Sequence, residues 1–266
     1  MNRKNFQELL WQKARELYRP MPWREDTRPY YVLVSELMLQ QTQVDRVIPK
    51  FEAFVKRFPD IVSLSEASLG DVLVLWNGLG YNRRAKYLHD AAKKVVANFN
   101  GKFPETKEEL LSLPGVGPGT AGALLAYAFN QPVVFIETNV RSVYFYHFFE
   151  NGDKVSDAEL AKQVEATLDQ EHPREFYWAL MDYGTWLKKN KLGRIAQSAH
   201  YKKQSALKGS LREMRGAIIK HLSNGDTPVK ALDIQFGNDD RYSKALDGLI
   251  QDGLISRTNE RFHLTK

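Results

Sequence analysis

The run Leu113-Pro114-Gly115-Val116-Gly117-Pro118-Gly119-Thr120-Ala121 constrains this chain more than any other stretch. A helical pattern from Lys107 to Leu113 precedes it and Pro118 opens another helix, so two helices are joined by a turn built on glycine. Gly115, Gly117 and Gly119 let backbone N–H groups come close to a ligand, and the second helix brings the positive end of its dipole to the same place. Such a hairpin holds a phosphate with no charged side chain, and so reads a backbone rather than a base sequence. Taken alone, the run leaves open a tight helix–helix turn with no ligand.

Helical spacing dominates the first 190 residues. Phe6, Leu9, Leu10, Lys13 and Leu17 follow it until Arg19-Pro20-Met21-Pro22 stops the helix. Further helices are expected from Tyr31 to Gln41, Val47 to Phe58, Ser65 to Leu75 and Arg84 to Phe99. The last carries Leu88, Ala91, Ala92, Val95 and Val96 as its apolar stripe. Val133 to Ile136 is the best strand signal and is too short to build a sheet.

After Gly209 the pattern resets. Helices are expected from Leu211 to Leu222, Val229 to Phe236 and Tyr242 to Asp252. Two alternating segments then flank the turn Asn259-Glu260. Three helices and a hairpin describe a winged-helix-like module, a type that reads DNA in some proteins and docks partners in others. Asp239, Asp240, Asp247 and Asp252 around its third helix speak against an ordinary major-groove reader. Between the two parts, Lys188 to Lys208 holds seven Lys or Arg and no acidic residue. It reads as a basic, partly extended connector suited to a phosphate backbone, or as a solvated linker. The expected domains are residues 1–187, the connector 188–208 and the module 209–266.

Composition narrows the class. Hydrophobic residues at 43%, with 12% aromatic, exclude a disordered chain. No apolar run approaches the ~20 residues of a membrane span, and no secretory signal is read at the start, so a cytoplasmic or otherwise intracellular place is expected. The absence of cysteine excludes disulfides, thiolate zinc sites and cysteine-held iron–sulfur clusters. Thirty-eight Lys and Arg against 32 Asp and Glu give a net charge of +6, which favours a polyanionic partner, nucleic acid first.

One carboxylate sits oddly. Glu36 has Val32, Leu33, Leu37 and Leu39 as helical neighbours, and a carboxyl on so apolar a face is expected to hold its proton toward neutrality. A buried glutamate satisfied by backbone or by an arginine is the alternative.

The hairpin, together with Thr120-Ala121-Gly122-Ala123, resembles the helix-hairpin-helix (HhH-GPD) superfamily of DNA glycosylases that includes endonuclease III. Val34-Ser35-Glu36-Leu37-Met38-Leu39-Gln40-Gln41-Thr42-Gln43-Val44 and Leu75-Trp76-Asn77-Gly78-Leu79-Gly80-Tyr81 look like MutY-type adenine DNA glycosylases. Pro20 to Arg24, His89 to Ala92 and Ala179 to Gly184 agree, so the resemblance covers about residues 6 to 187. It implies a mainly α fold: a two-lobed glycosylase core followed by the small α+β winged-helix-like module. One lobe is expected from about Tyr30 to Val134, the other from the N-terminus with the segment after Glu137.

The resemblance also assigns roles. Glu36 would protonate the departing base. Eighteen residues beyond Gly119 lies Glu137, where the family carries Asp; it would stabilise the developing sugar cation, with Asn139 positioning water or carboxylate. The extra methylene moves that carboxylate by more than ~1 Å if the backbone stays put, a displacement able to cost about 10²-fold in rate. Without the resemblance, Glu137 also reads as a carboxylate serving a helix N-terminus, with Thr138 and Asn139 as caps. Gly119 stands where bifunctional members carry Lys, so Schiff-base strand cleavage is not expected. Gln41 and Tyr81 match positions that wedge into the base stack, with Arg83 and Arg84 placed for phosphates alongside Gly115, Gly117, Gly119 and Thr120.

The chain departs from the pattern by lacking the four cysteines of the [4Fe–4S] cluster, whose place the basic connector takes, and by lacking the domain that reads 8-oxoguanine. No cofactor and no metal site are expected beyond a candidate monovalent cation at the hairpin. The expected activity is a monofunctional base-excision-repair glycosylase acting on mismatched duplex DNA, adenine opposite guanine or 8-oxoguanine first. A thymine or uracil mismatch glycosylase and a non-catalytic DNA-lesion binder are the alternatives.

Overall fold

Frequent prolines, glycines and capping residues divide the sequence, and the chain folds accordingly into short helices. The computed structural model describes residues 1–150, 152, 154–199 and 206–266. Its first helices are α1 (Arg3–Leu17), α2 (Pro22–Glu25), α3 (Pro29–Leu39) and α4 (Val44–Arg57). Then come α5 (Ile61–Glu66), α6 (Leu69–Trp76), α7 (Arg83–Phe99) and the hairpin pair α8 (Lys107–Leu111) and α9 (Pro118–Tyr127). α10 (Thr138–Phe148), α11 (Asp157–Thr167) and α12 (Pro173–Lys189) follow. The C-terminal part holds α13 (Leu211–Leu222), β1 (Thr227–Pro228), α14 (Val229–Phe236), α15 (Tyr242–Gln251), β2 (Ile255–Thr258) and β3 (Arg261–Leu264). Among the described residues no helix is long and apolar enough to cross a membrane.

Some expectations change and others hold. The helix expected from Ser65 to Leu75 is two, because the Ser68 hydroxyl accepts from the Asp71 N–H at 3.0 Å and starts α6 afresh. Val133 to Ile136 joins no sheet among the described residues, as its shortness led one to expect. The Tyr177 hydroxyl serves its backbone instead, donating to Val133 O at 2.8 Å and accepting from the Phe135 N–H at 3.2 Å. The basic connector is folded as far as it is described. Arg194 donates to the carbonyls of Phe145 and Phe149, Gln197 donates to Glu150 O, and Ser198 bridges Val155. Its remaining residues 200–205 lie outside the described part.

Two compact units form. The first gathers Met1–Val32, Glu105–Ser112 and the chain from Val116 into the connector; the second gathers Leu33–Pro104, Leu113–Gly115 and the C-terminal module. The expected lobe from Tyr30 to Val134 is thus not the observed one: α8 and α9 belong to the first unit. Gly122 explains part of this, since a Cβ there would stand 2.3 Å from the Phe135 side chain and force α9 away.

In the first unit α1 and α10 pack on α12 around Phe6, Tyr144, Phe145, Phe176 and Tyr177. A charged cluster lies under this core. Asp182 on α12, 3% exposed, accepts from Arg24 Nη1 at 2.7 Å and Arg19 Nε at 2.6 Å, and Arg24 is itself buried. Arg24 Nη1 also donates to Arg19 O at 3.0 Å, which ties the Arg19-Pro20-Met21-Pro22 break to α12. Trp23 and Trp76 are core residues, whereas Trp11, Trp178 and Trp186 are half-buried.

In the second unit α5 and α6 pack on α7, and α4 on α6, around Phe51, Phe54, Phe58 and Trp76. The C-terminal module has a three-stranded antiparallel sheet in the order β1-β3-β2, with α13 packed against α15. That is the winged-helix order of elements. β3 lies on α6, where a Cβ at Gly70 would meet Leu264 Cβ at 3.3 Å.

Arg84 is the anchor of this unit. It is 6% exposed, and Nη1 donates to Leu37 O, Met38 O and Gln40 O at 2.7, 3.0 and 2.6 Å. Nη2 reaches Thr42 Oγ1, Leu79 O and Gly80 O at 3.2, 3.3 and 3.0 Å. The guanidinium therefore caps the C-terminus of α3 and ties two separate loops to α7. Burial pulls its pKa down to about 10, and it stays charged at neutral pH.

Asp182→Asn leaves Arg24 buried without its counter-charge and should destabilise the protein by about 3–5 kcal/mol in urea unfolding. Arg19→Ala, which removes the more exposed partner, should cost clearly less. Arg84→Lys keeps the charge but replaces the planar fork, and should cost about 2 kcal/mol. Hydrogen exchange should quicken first in the Gln40–Thr42 and Leu79–Gly80 loops. A variant as stable as the parent, with unchanged exchange there, would remove Arg84 as their anchor.

Candidate active site and nucleic-acid interface

Glu36 lies in the last turns of α3, half-buried between Ser35 and Leu37, which are 1% and 0% exposed. The helix ends at Leu39 and the chain turns at once: Gln41 is exposed with φ +56°. On the facing loop, Tyr81 is half-buried with φ +48°. Asparagine visits the left-handed region cheaply and accounts for three of the six non-glycine residues found there among the described residues; Gln41 and Tyr81 do not share that ease. Such strain persists only where surroundings enforce it. Here the Arg84 guanidinium bonds the carbonyls beside both residues and lies 5.5 Å from the Tyr81 ring centroid. Arg46 adds a bond to Gly78 O, and Trp76 Nε1 donates to Gly80 O at 3.2 Å.

Arg84 is therefore not placed for a phosphate, and the reading of it as a DNA contact is corrected. It was legible as a buried residue, because the stripe Leu88, Ala91, Ala92 and Val95 on α7 extends back by one helical turn to Arg84. Arg83 does face outward, its side chain 59% exposed; it donates to Tyr87 Oη at 2.7 Å and pairs with Asp252 at 3.6 Å. Gly115 has φ +77°, and a Cβ there would stand 2.7 Å from Tyr87 Cβ, so both backbone and packing require glycine.

These residues belong to the second unit; the rest of the candidate set belongs to the first. Gly117 is the residue before α9, and the first bond of that helix runs from the Ala121 N–H to Gly117 O at 2.9 Å. The Gly119 and Thr120 amides thus stand at the positive end of α9, ahead of its own ladder. Open space surrounds the position of a Cβ on Gly119, whereas the Thr120 side chain is buried and offers the outside only its backbone.

Glu137 occupies the N-cap position of α10, yet its side chain does not cap the helix. Burial pushes its carboxyl pKa up, and Arg141 one turn on pulls it partly back. Arg141 is fixed by a two-pronged ion pair with Asp157 at 2.8 and 2.9 Å. Asn139, half-buried, donates to Met181 Sδ at 3.6 Å. Behind it stands Gly184: a Cβ there would lie 2.6 Å from Asn139 Cβ, so that glycine lets α10 settle against α12. The Ala179 to Gly184 motif thus supports Glu137 and Asn139 from below, through Asp182 and Gly184, a role spacing alone did not reveal. Nothing after α12 supplies the four thiolates of an iron–sulfur cluster, since the chain has no cysteine, and no such group fits here.

Comparison with known proteins follows this geometry. Residues 34–170 match the family model of the HhH-GPD superfamily base excision DNA repair proteins. An adenine DNA glycosylase of Mycobacterium tuberculosis is 32% identical over 264 residues, covering 91% of this chain and 87% of the relative. One from Buchnera aphidicola is 40% identical over 165 residues, covering 62% of this chain; the chain spans about half, 47%, of that relative. In structure, a thermostable thymine-DNA glycosylase superposes with a TM-score of 0.64 at 24% identity, over 68% of this chain and 85% of the other. That likeness speaks for the fold. On the family match and the mycobacterial relative, this chain belongs to the HhH-GPD superfamily of base excision DNA repair proteins.

Proposed function

We propose that this protein hydrolyses the N-glycosidic bond of a mismatched base in duplex DNA, with adenine opposite guanine or 8-oxoguanine as its first substrate. The observation that carries this reading is Glu36, a half-buried carboxyl on apolar α3, in a chain similar along most of its length to an adenine DNA glycosylase. Neutral adenine leaves poorly, so cleavage needs a proton delivered to the base, and Glu36 supplies it. The sugar left behind becomes cationic, and ionised Glu137 stabilises it while water completes the hydrolysis, with Asn139 orienting the reacting groups. No amine is available at Gly119, so the product is an intact strand with an abasic site.

Duplex DNA hides the reacting carbon. Gln41 and Tyr81, held in strained loops, enter the stack in place of the extruded nucleotide. The glycine turn and the α9 amides hold a phosphate, with Arg83 and the exposed Lys188, Lys189 and Lys191 adding positive charge. The chemistry needs no redox cofactor; a monovalent cation at the hairpin would serve phosphate binding.

Single-turnover assays on duplexes carrying A opposite G, 8-oxoguanine or C, and T or U opposite G, each read with and without alkali, test this reading. Cleavage at adenine only after alkali is expected, and Glu36→Gln should slow it by about 10²–10⁴-fold. Cleavage at T or U alone would move the substrate to a pyrimidine. Tight binding with no release from any duplex would make the protein a lesion binder.

Glu137→Gln carries a second, opposite signature. Because burial raises the folded-state pKa of Glu137, the folded protein binds this proton more tightly than the unfolded chain. Wild type therefore loses stability as pH rises from the ordinary glutamate range through the folded pKa. Glutamine does not titrate, so the variant should melt higher than wild type at neutral pH, with the gain vanishing in acid, while excision falls by at least about 10²-fold. An unchanged or lower Tm at neutral pH would remove the buried-carboxylate account.

A further inference from the structure

The C-terminal module lies within the second unit, against the loop that carries Tyr81. Arg212, the second residue of α13, donates through Nη1 to the Tyr81 hydroxyl, and its guanidinium lies 4.7 Å from the Tyr81 ring centroid. Arg84 approaches the same ring at 5.5 Å, so two arginines address one tyrosine, one from α7 and one from the module. Two further contacts hold the module there. Asp252, directly after α15, joins Arg215 of the module to Arg83 of α7. A Cβ on Gly253, whose φ is +66°, would stand 3.6 Å from Lys86 Cε. With β3 resting on α6, the module is fixed at several points around Tyr81.

We infer that the module is a working part of the base-extrusion apparatus and that Arg212 is the positioning residue for Tyr81. This inference rests on the reading of Tyr81 as a wedge. Arg84 holds only the backbone of the Tyr81 loop, through Leu79 O and Gly80 O. A tyrosine side chain keeps two rotatable bonds, and ordering it at the moment of insertion costs free energy. Arg212 supplies what Arg84 does not, a charge-assisted bond to the hydroxyl, and its guanidinium also lies nearer the ring. Asp252 meanwhile holds α7 and the module together at Arg83, away from that hydroxyl. The acidic residues that make the module a poor major-groove reader thus have a place: Asp252 serves docking, and Asp239 is bound by Arg241.

A double-mutant cycle on the full chain tests this, using Arg212→Ala, Tyr81→Phe and their combination, with Arg212→Lys as the conservative variant. Each is read by single-turnover excision and by fluorescence of a 2-aminopurine placed beside an abasic-analogue site, which reports unstacking without chemistry. Arg212→Ala is expected to slow excision about 10-fold, the scale of one charge-assisted hydrogen bond, and to reduce the fluorescence rise, with Arg212→Lys restoring part of both. In the Tyr81→Phe background the Arg212 substitution should cost clearly less, because the shared hydroxyl is gone and only the cation over the ring remains to be lost. An equal additional loss in that background would overturn the inference by showing that Arg212 acts elsewhere, as on a phosphate. Faster excision by Arg212→Ala would overturn it too, making the contact a restraint. Unstacking that depends on Arg212 in a wild-type chain that releases no base would uphold the positioning role and refute the reaction.

Discussion

The Arg84 guanidinium against the end of α3 is the interaction on which the second unit depends. A helix terminus leaves carbonyls without partners, and at Leu37, Met38 and Gln40 these are turned toward the interior rather than toward water. A buried charge is costly, but a planar fork at the negative end of a helix meets several acceptors at once, which offsets desolvation without a carboxylate. The same group then reaches Thr42, Leu79 and Gly80. One side chain thereby sets the end of the helix that carries Glu36 and fixes both loops whose tips depart from ordinary backbone geometry. In the proposed reaction an acid and a pair of inserted residues act together, and they would gain by sharing an anchor, since motion of one is then motion of all.

The first unit solves a parallel problem by other means. Its carboxylate, Glu137, sits at a helix N-terminus, and α10 must lie close to α12 to hold it there. Gly184 provides the closeness and Asp182, bound by Arg19 and Arg24, fixes α12 to the proline-rich turn before α2. Both units therefore set an unfavourable feature on a rigid base: left-handed Gln41 and Tyr81 in one, a carboxyl made reluctant to ionise in the other. Such features are unwelcome in a merely structural region and are ordinary in a reacting one.

Much of this was legible in the sequence, and the misses have physical causes. The hairpin, the helices of the C-terminal module and its β-turn follow from proline, glycine and periodicity, all local signals. Glu36 stands out as a carboxyl on an apolar helix, whereas Glu137 is reached only through the family resemblance, eighteen residues beyond Gly119. Arg84 was misassigned because arginine near a candidate DNA contact reads as a phosphate ligand, while its true setting depends on carbonyls more than forty residues away in sequence. Val133 to Ile136 is too short to build a sheet, as read, and a tyrosine hydroxyl serves its backbone; sequence distance hides which tyrosine does so. The lobe boundary failed for the same reason: contacts at Gly122 and Gly184 are known only once the partner helix is in place.

Glutamate at position 137, where the family resemblance implies aspartate, takes on a specific meaning in this setting. Aspartate is among the best N-cap residues, its short side chain folding back onto the amides of the first turn. Glutamate is too long to make that bond comfortably, and here its side chain leaves the cap unmade. The residue thus gives up a helix-stabilising contact, and its carboxylate is not tied back to the turn that positions it. Arg141, fixed in turn by Asp157, supplies a nearby positive charge that favours ionisation without occupying the helix end. Glutamate at the N-cap therefore goes without a cap, and in the proposed reaction that leaves the carboxylate to act on the sugar rather than on its own helix.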